Sequence, residues 1–293
     1  AIIALLKSGE DASNLEIGVG TIVGSALFNL LVIIGAAALV KKSKIAWQPM
    51  LRDLVFYLFS IVMLYWAFST GTITLVHGIV FISFYILYVV AVINWRKIFP
   101  YKEDEEQEEQ AESDDPSWKK YLKPFDKILA LLFPKADLYI TTFIISIVLI
   151  AGLSWALVES AVHISDVLGV PKYIIALTIL AFGTSVPDMI SSIIVAKQGR
   201  GGMAVSNALG SNIFDILIGL GLPWMIHVIV SNQNLDVPIS NLSDQVLVLL
   251  ASIIGVFIVL LISRWWINKR IGYLLIGSYL VYLVYTIYTG SFG

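Results

Sequence analysis

Eight apolar stretches dominate the sequence of 293 residues, and each is close to the roughly 20 residues that cross a bilayer as a helix. We place them near 18–40, 51–69, 73–94, 138–161, 172–197, 203–230, 244–263 and 271–289. Only 14% of the residues are charged, against about 25% in a typical soluble domain. The pattern therefore predicts an all-α, multi-pass membrane protein. The sequence contains no cysteine, which excludes disulfides and thiolate metal sites.

Lysine and arginine are unevenly divided between the two sides that these spans define. One set of alternating loops carries all the basic residues except Lys7 and Lys172. Because basic residues concentrate on the cytoplasmic side, we expect the central loop, 95–137, to be cytoplasmic and the C-terminus to lie outside. A plasma membrane or a bacterial inner membrane would fit this orientation. The acidic run 103–115 in the central loop is typical of a solvated linker.

Two segments, 19–35 and 205–221, align with each other without a gap. The matched pairs are Gly24 with Gly210, Ser25 with Ser211, Phe28 with Phe214, and Asn29 with Asp215. The charge distribution puts the loops before the two segments on opposite sides, so the copies have inverted topology. This arrangement is typical of secondary transporters, in which the ion site lies at the membrane midplane between the repeats.

The repeat predicts how the chain is organised. We assign 1–94 to a first repeat, 95–137 to the cytoplasmic loop and 138–293 to a second repeat. Five spans follow the loop, but only three and a short helical remnant precede it. We therefore expect the first of two five-helix repeats to be incomplete, without its first helix and most of its second.

Two carboxylates, Asp188 and Asp215, lie inside the apolar stretches. A carboxylate near the bilayer centre costs at least about 2.5–3.5 kcal/mol on insertion scales, so its presence indicates a function. Thr184 is four residues before Asp188 and shares its helix face, and Ser211 is four residues before Asp215. Pro187 predicts a kinked or broken helix, which would free backbone carbonyls beside Asp188.

These residues predict a cation site built from oxygen atoms, the ligands that Ca²⁺ and Na⁺ prefer. The candidate ligands are Asp188, Asp215, Thr184, Ser211, Asn212, Ser25 and Asn29. For Ser25, Asn29 and Asn212 an alternative interpretation is that they only form hydrogen bonds between neighbouring helices. Arg52 and Asp53, at the start of a span, are interpreted as an ion pair at the membrane interface.

Three stretches, 18–29, 176–188 and 203–215, resemble the potassium-dependent sodium/calcium exchangers of the cation/calcium exchanger superfamily. The resemblance implies ten helices in two inverted halves and exchange of Na⁺ for Ca²⁺ together with K⁺. It implies that Asp188 coordinates Ca²⁺ or Na⁺, with Thr184 and Ser185 as neighbouring ligands, and that Asp215 confers potassium dependence. The family's first-repeat block, which ends in Pro-Glu, would precede Ala1.

The sequence thus predicts a secondary active antiporter that works by alternating access, and no enzyme activity. Its expected partners are the lipid bilayer and inorganic cations, with no nucleic acid and no cofactor beyond the transported Ca²⁺, Na⁺ and K⁺. A Ca²⁺/H⁺ or other cation antiporter on the same fold, or an inactive fragment, remain alternatives. An intramembrane aspartyl protease is disfavoured, because neither aspartate has the Gly-x-Gly-Asp setting.

Overall fold

The computed structural model describes residues 12–100, 139–236 and 239–292, and nearly all of them are helical. Eight helical segments in this part of the chain are long and apolar enough to cross a membrane, which confirms the predicted multi-pass architecture. The acidic run 103–115 and Lys7 lie outside the described residues. The helices are α1 Ala12–Leu27, α2 Ile34–Val40, α3 Trp47–Ser69, α4 Leu75–Ile98, α5 Tyr139–Leu168, α6 Lys172–Ile175, α7 Ala181–Lys197, α8 Gly201–Leu217, α9 Gly221–Ser231, α10 Ile239–Ile262 and α11 Lys269–Phe292.

Two π-helical turns interrupt the spans near the predicted site. Phe28–Ile33 joins α1 to α2, and Ala176–Leu180 joins α6 to α7. The second copy of the repeat is irregular at the position that matches the first turn, because Gly219 N–H donates to the Phe214 carbonyl five residues earlier, between α8 and α9. π-Helical turns inside helices are frequent at functional sites. Both copies of the repeat thus depart from α-helix around Asn29 and its counterpart Asp215.

Two short antiparallel ladders close the ends of the bundle. β1 (Ser43–Lys44) pairs with β4 (Trp266–Ile267) at one end, and β2 (Thr72–Ile73) pairs with β3 (Leu235–Asp236) at the other. The repeat relates β1 to β3 and β2 to β4, since each follows the corresponding span. The operation that superposes the first repeat on the second therefore places the β1–β4 ladder on the β2–β3 ladder, as rotation about a two-fold axis in the membrane plane would do.

The ladders also fix the direction of each copy of the repeat. The first span, α1–α2, ends beside β1, whereas the sixth span, α8–α9, ends beside β3 at the opposite end of the bundle. α8 begins beside β1, where a Cβ atom on Gly201 would lie 2.6 Å from the Ser43 Cβ. The two copies therefore run in opposite directions, and the predicted inverted topology is confirmed.

Buried apolar side chains from both repeats form one large core. It is built mainly from the first span, α3, α8, α10 and α11, and its largest fully buried side chains include Trp224, Tyr57 and Phe68. α5 is exposed along almost its whole length, so its apolar surface faces the lipid. The core holds the first span against α7 and α8, and this contact creates the candidate site.

Candidate ion-binding site

A cavity of about 170 Å³ lies between α1 of the first repeat and α7 and α8 of the second. Five of the eight predicted residues line it, and all of them carry a side-chain oxygen. The lining residues are Thr21, Ile22, Ser25, Thr184, Asp188, Ser211 and Asp215. The two aspartates, which the sequence places 27 positions apart, thus lie in one cavity.

Asp188 is held in this cavity by the neighbouring helix. The Ser211 hydroxyl on α8 donates a hydrogen bond of 2.7 Å to Asp188 Oδ2 on α7. This hydrogen bond links the two helices that carry the aspartates. Among the described residues, the other carboxylate oxygen of Asp188 accepts no hydrogen bond, so it can coordinate a cation.

The predicted break of the helix at Pro187 is wrong, because α7 continues through this residue without interruption. Proline removes only one backbone donor, and the departure from α-helical geometry occurs earlier, in the π turn Ala176–Leu180. The Thr184 hydroxyl bonds back to the carbonyls of Leu180 and Ala181, at 3.1 Å each, where the π turn meets α7. Thr184 and Asp188 consequently share the face that lines the cavity, as their spacing predicts.

The other three predicted residues lie beside the cavity and connect helices. Ser185 Oγ is 2.8 Å from Ser25 Oγ, which joins α7 to α1. Asn29 Nδ2 donates to Asn212 Oδ1 at 2.9 Å, which joins the first span to the sixth. Ser185, Asn29 and Asn212 are buried and do not line the cavity. Their coordination of an ion stays a prediction, whereas their hydrogen bonds between helices are a feature of the structure.

Thr21 lines the cavity but is absent from the sequence prediction. It precedes Ser25 by four residues, the same spacing that relates Ser25 to Asn29, so one helix face carries all three polar side chains. Extending this spacing by one turn towards the N-terminus would have found it. Its hydroxyl donates to the Ile17 carbonyl at 2.6 Å, which leaves the lone pairs of the oxygen for a ligand.

Arg52 and Asp53 form the predicted ion pair, but the pair is buried within the helix bundle, which its sequence position did not indicate. The side chains are 7% and 0% exposed, and Arg52 Nη2 lies 2.7 Å from Asp53 Oδ1. The Tyr88 hydroxyl of α4 donates to the same oxygen at 3.2 Å, and the guanidinium lies over the Trp95 ring. Side chains of α4 cover the pair from the lipid, which the position of these residues at a span start does not reveal.

The cavity presents two carboxylates and several hydroxyls, with no nitrogen or sulfur ligand among its lining residues. Such a set of hard oxygen donors suits Na⁺, K⁺ and Ca²⁺ better than transition metals, which favour imidazole or thiolate. Oxygen donors from two inverted repeats around one cavity define a class of protein, the secondary transporters of cations with an inverted repeat.

Comparison with known proteins places the chain within this class. The family model described as sodium/calcium exchanger protein matches residues 1–94 and 138–288. The chain belongs to this family. Among curated relatives, it is 41% identical over 148 residues to the sodium/potassium/calcium exchanger 2 of Gallus gallus, and 36% identical over 186 residues to the sodium/potassium/calcium exchanger 4 of Mus musculus. These matches span 50% and 61% of this chain, but only 23% and 30% of those relatives.

Solved exchanger structures share the fold. A structure of the sodium-calcium exchanger NCX_Mj, soaked with Na⁺ and Sr²⁺, matches 96% of this chain and 81% of that chain, with a TM-score of 0.58 and 21% identity. The H⁺/Ca²⁺ exchanger CAX matches 99% of this chain and 75% of that chain, with a TM-score of 0.61 and 13% identity. At these identities the likeness shows the fold, which is that of inverted-repeat exchangers.

Proposed function

We propose that this chain forms an antiporter that exchanges Na⁺ for Ca²⁺, with co-transport of K⁺, by alternating access at the cavity. The observation that carries the proposal is the meeting of Asp188 and Asp215 with hydroxyls of both repeats in one cavity. The ions are cargo, and no resident cofactor is invoked. Na⁺ and Ca²⁺ would compete for the same carboxylates, so binding of one favours release of the other.

The relatives support the choice of ions. The names of curated relatives at about 40% identity include sodium, potassium and calcium, although each match covers only about half of this chain. The proposed ligands are Asp188, Asp215, Thr184, Ser211 and Ser25, with Thr21 added from the structure. Asn29, Asn212 and Ser185, the other predicted ligands, lie beside the cavity and connect the helices that line it.

The proposed arrangement in the membrane follows from the charge distribution and the ladders. The end of the bundle at β1 and β4 carries Lys41, Lys42, Lys44, Lys197, Arg200, Arg264, Lys269 and Arg270. The opposite end carries Lys172 among the described residues. This asymmetry supports a cytoplasmic location for the β1–β4 end and the central loop, and an external C-terminus. On this proposal 1–94 and 138–293 are the two exchanger repeats.

The test is transport of ⁴⁵Ca²⁺ into proteoliposomes that contain the purified protein, driven by an outward Na⁺ gradient, with and without K⁺. Asp188→Asn should abolish uptake, because it removes one of two carboxylates that neutralise the divalent ion. Asp244→Asn, at the exposed start of the seventh span, is the matched control and should retain uptake. Normal uptake by Asp188→Asn would refute the role of this carboxylate.

A Ca²⁺/H⁺ antiporter is the second candidate, and the fold shared with the H⁺/Ca²⁺ exchanger CAX favours it. The same proteoliposomes separate the two functions. Uptake that persists when the Na⁺ gradient is dissipated, and disappears when the proton gradient is collapsed, would establish proton exchange. Uptake with the reverse dependence would establish Na⁺/Ca²⁺ exchange. An inactive fragment would show neither.

A further inference from the structure

Three fully buried side chains form a chain of hydrogen bonds beside the cavity. Asn29 Nδ2 donates to Asn212 Oδ1 at 2.9 Å, and Asn212 Nδ2 donates to the Tyr57 hydroxyl at 3.0 Å. Asn212 Nδ2 also donates to the Ala26 carbonyl at 3.0 Å. Asn29, Asn212 and Tyr57 belong to the first, sixth and second spans, and each is 0% exposed. The transport mechanism proposed above gives Tyr57 no role.

The direction of these hydrogen bonds is fixed at one end by the backbone. A carbonyl oxygen can only accept, so the Ala26 carbonyl requires Asn212 to present its amide nitrogen. Asn212 Oδ1 must then face Asn29, and Asn29 must in turn present its own nitrogen. The Asn29 Oδ1 atom is consequently the unpaired end of this series of hydrogen bonds. It is buried and accepts no hydrogen bond within the part of the protein that the structure describes.

Tyr57 completes this arrangement. The Asn212 amide nitrogen has two N–H groups, of which one is paired with Ala26 and the other with the Tyr57 hydroxyl. Without that hydroxyl, one buried N–H group of Asn212 would lack a partner, which is costly. The orientation of Asn212, and through it that of Asn29, would then be held less firmly.

The position of Asn29 connects this chain of hydrogen bonds to the cavity. Asn29 follows Ser25 by one helical turn, and Ser25 lines the cavity. In the repeat, Asn29 corresponds to Asp215, the carboxylate that lines the cavity from the sixth span. A buried oxygen without a donor at this position is suited to a cation, which needs acceptor oxygens, or to the water that a cation carries.

We propose that Tyr57 is a positioning residue for ion binding, which acts through Asn212 to keep the Asn29 amide oxygen available to a monovalent cation. This inference rests on the proposed function and deepens it. The repeats then differ in charge for a physical reason. The side chain at position 29 donates a hydrogen bond to Asn212, which an amide can do and a carboxylate cannot. The side chain at position 215 donates no such bond among the described residues, so a carboxylate fits there. The first-repeat side of the pathway presents a neutral oxygen, which suits Na⁺ or K⁺ better than Ca²⁺.

The experiment is a double-mutant cycle with Tyr57→Phe, Asn29→Ala and the combined variant. The half-saturating Na⁺ concentration is measured from initial rates of exchange in proteoliposomes. Tyr57→Phe should raise it by about threefold or more, the effect of one buried hydrogen bond, with the maximal rate retained. In the Asn29→Ala background the same change should have no further effect, because the group that Tyr57 positions is gone.

Tyr279→Phe is the matched control, because Tyr279 is also buried and its ring packs against Phe28, next to Asn29. It should leave the half-saturating Na⁺ concentration unchanged. An equal shift in Tyr279→Phe would overturn the inference, since loss of any nearby hydroxyl would then suffice. Additive effects of Tyr57→Phe and Asn29→Ala would also overturn it. If Tyr57→Phe does not fold, Asn212→Ala takes its place in the cycle with the same expectations.

The unfolding temperatures of the same proteins without transported ions separate this inference from the proposed function. If no variant and no wild-type protein exchanges Na⁺ for Ca²⁺, the proposed function fails. Non-additive unfolding temperatures would then still support the link from Tyr57 to Asn29, and additive ones would overturn it. If the wild-type protein exchanges Na⁺ for Ca²⁺ but the effects of Tyr57→Phe and Asn29→Ala are additive, the proposed antiporter function stands and the role of Tyr57 is refuted.

Discussion

Gly24 allows α1 of the first repeat to pack tightly against the second repeat beside the cavity, and we predict that Gly24→Ala destabilises the protein and disables the site. A Cβ atom at this position would lie 2.4 Å from the Leu177 carbonyl oxygen and 2.8 Å from the Leu177 Cα. Both atoms belong to the backbone of the π turn Ala176–Leu180, so no side-chain rotation relieves the contact. α1 and this turn would have to move apart.

The size of the effect follows from these distances. Carbon and carbonyl oxygen approach to about 3.3–3.6 Å in favourable contacts, so the helices must separate by about 1 Å. Overpacking of this kind costs about 1–3 kcal/mol, and the rigid backbone favours the upper end. Alanine recovers about 0.5–1 kcal/mol relative to glycine within a helix. The net loss is about 2 kcal/mol, which corresponds to a decrease of about 4–8 °C in the unfolding temperature.

Gly24→Ala should reduce the rate of transport more strongly than it reduces stability. Ser25 follows Gly24, and its hydroxyl lies 2.8 Å from that of Ser185, a contact that a shift of about 1 Å would break. Misplacement of site residues by about 1 Å can cost about 100-fold in rate. We therefore expect Gly24→Ala to lose at least about tenfold in Na⁺-driven ⁴⁵Ca²⁺ uptake.

Gly210, the counterpart of Gly24 in the second repeat, provides the matched control. Among the described residues, a Cβ atom at Gly210 would meet only the Tyr88 hydroxyl, at 3.6 Å, which is an ordinary contact. Gly210→Ala should leave the unfolding temperature unchanged or raise it by up to about 4 °C, because alanine favours the helix and meets no steric obstacle. Thermal unfolding of the two purified variants checks the prediction. Wild-type stability and transport in Gly24→Ala would refute the argument.

Two further predictions concern Asp53 and Asp215. Asp53→Asn should lower the free energy of unfolding by about 3–5 kcal/mol, because it leaves the buried Arg52 charge without its partner, and thermal unfolding measures this loss. Wild-type stability of this variant would show that the pair is solvated after all. Asp215→Asn should weaken the dependence of Ca²⁺ uptake on K⁺ while retaining some Na⁺/Ca²⁺ exchange, because it removes one charge from the cavity. Titration of K⁺ in the flux assay checks this, and an unchanged K⁺ response would contradict the assignment.

Local signals in the sequence suffice for the architecture. Span number follows from hydropathy, because a helix that crosses a bilayer must be apolar over about 20 residues. The inverted topology follows from the internal repeat and the distribution of basic residues, and the two ladders confirm it. Carboxylates at membrane depth require polar neighbours, so the sequence could predict that the two aspartates share one site with nearby hydroxyls. The residues predicted in this way that line the cavity are Asp188, Asp215, Ser25, Ser211 and Thr184.

Other features depend on contacts between distant residues, which hydropathy does not encode. Pro187 predicts a break, but the irregular turn forms at Ala176–Leu180. Arg52 and Asp53 have the sequence position of an interfacial pair, yet Tyr88 and Trp95 of another span enclose them.

The sequence by itself determined that the chain crosses the membrane, that its two copies are inverted, and which residues bring most of the oxygen atoms to the cavity. These properties arise from local composition and from repetition along the chain. Only the tertiary structure decided which of the polar residues line the cavity and which connect helices. Ser25 lines the cavity, whereas Asn29 is bonded to Asn212. That division depends on the direction of single hydrogen bonds, such as the one to the Ala26 carbonyl, and these exist only when three spans pack together.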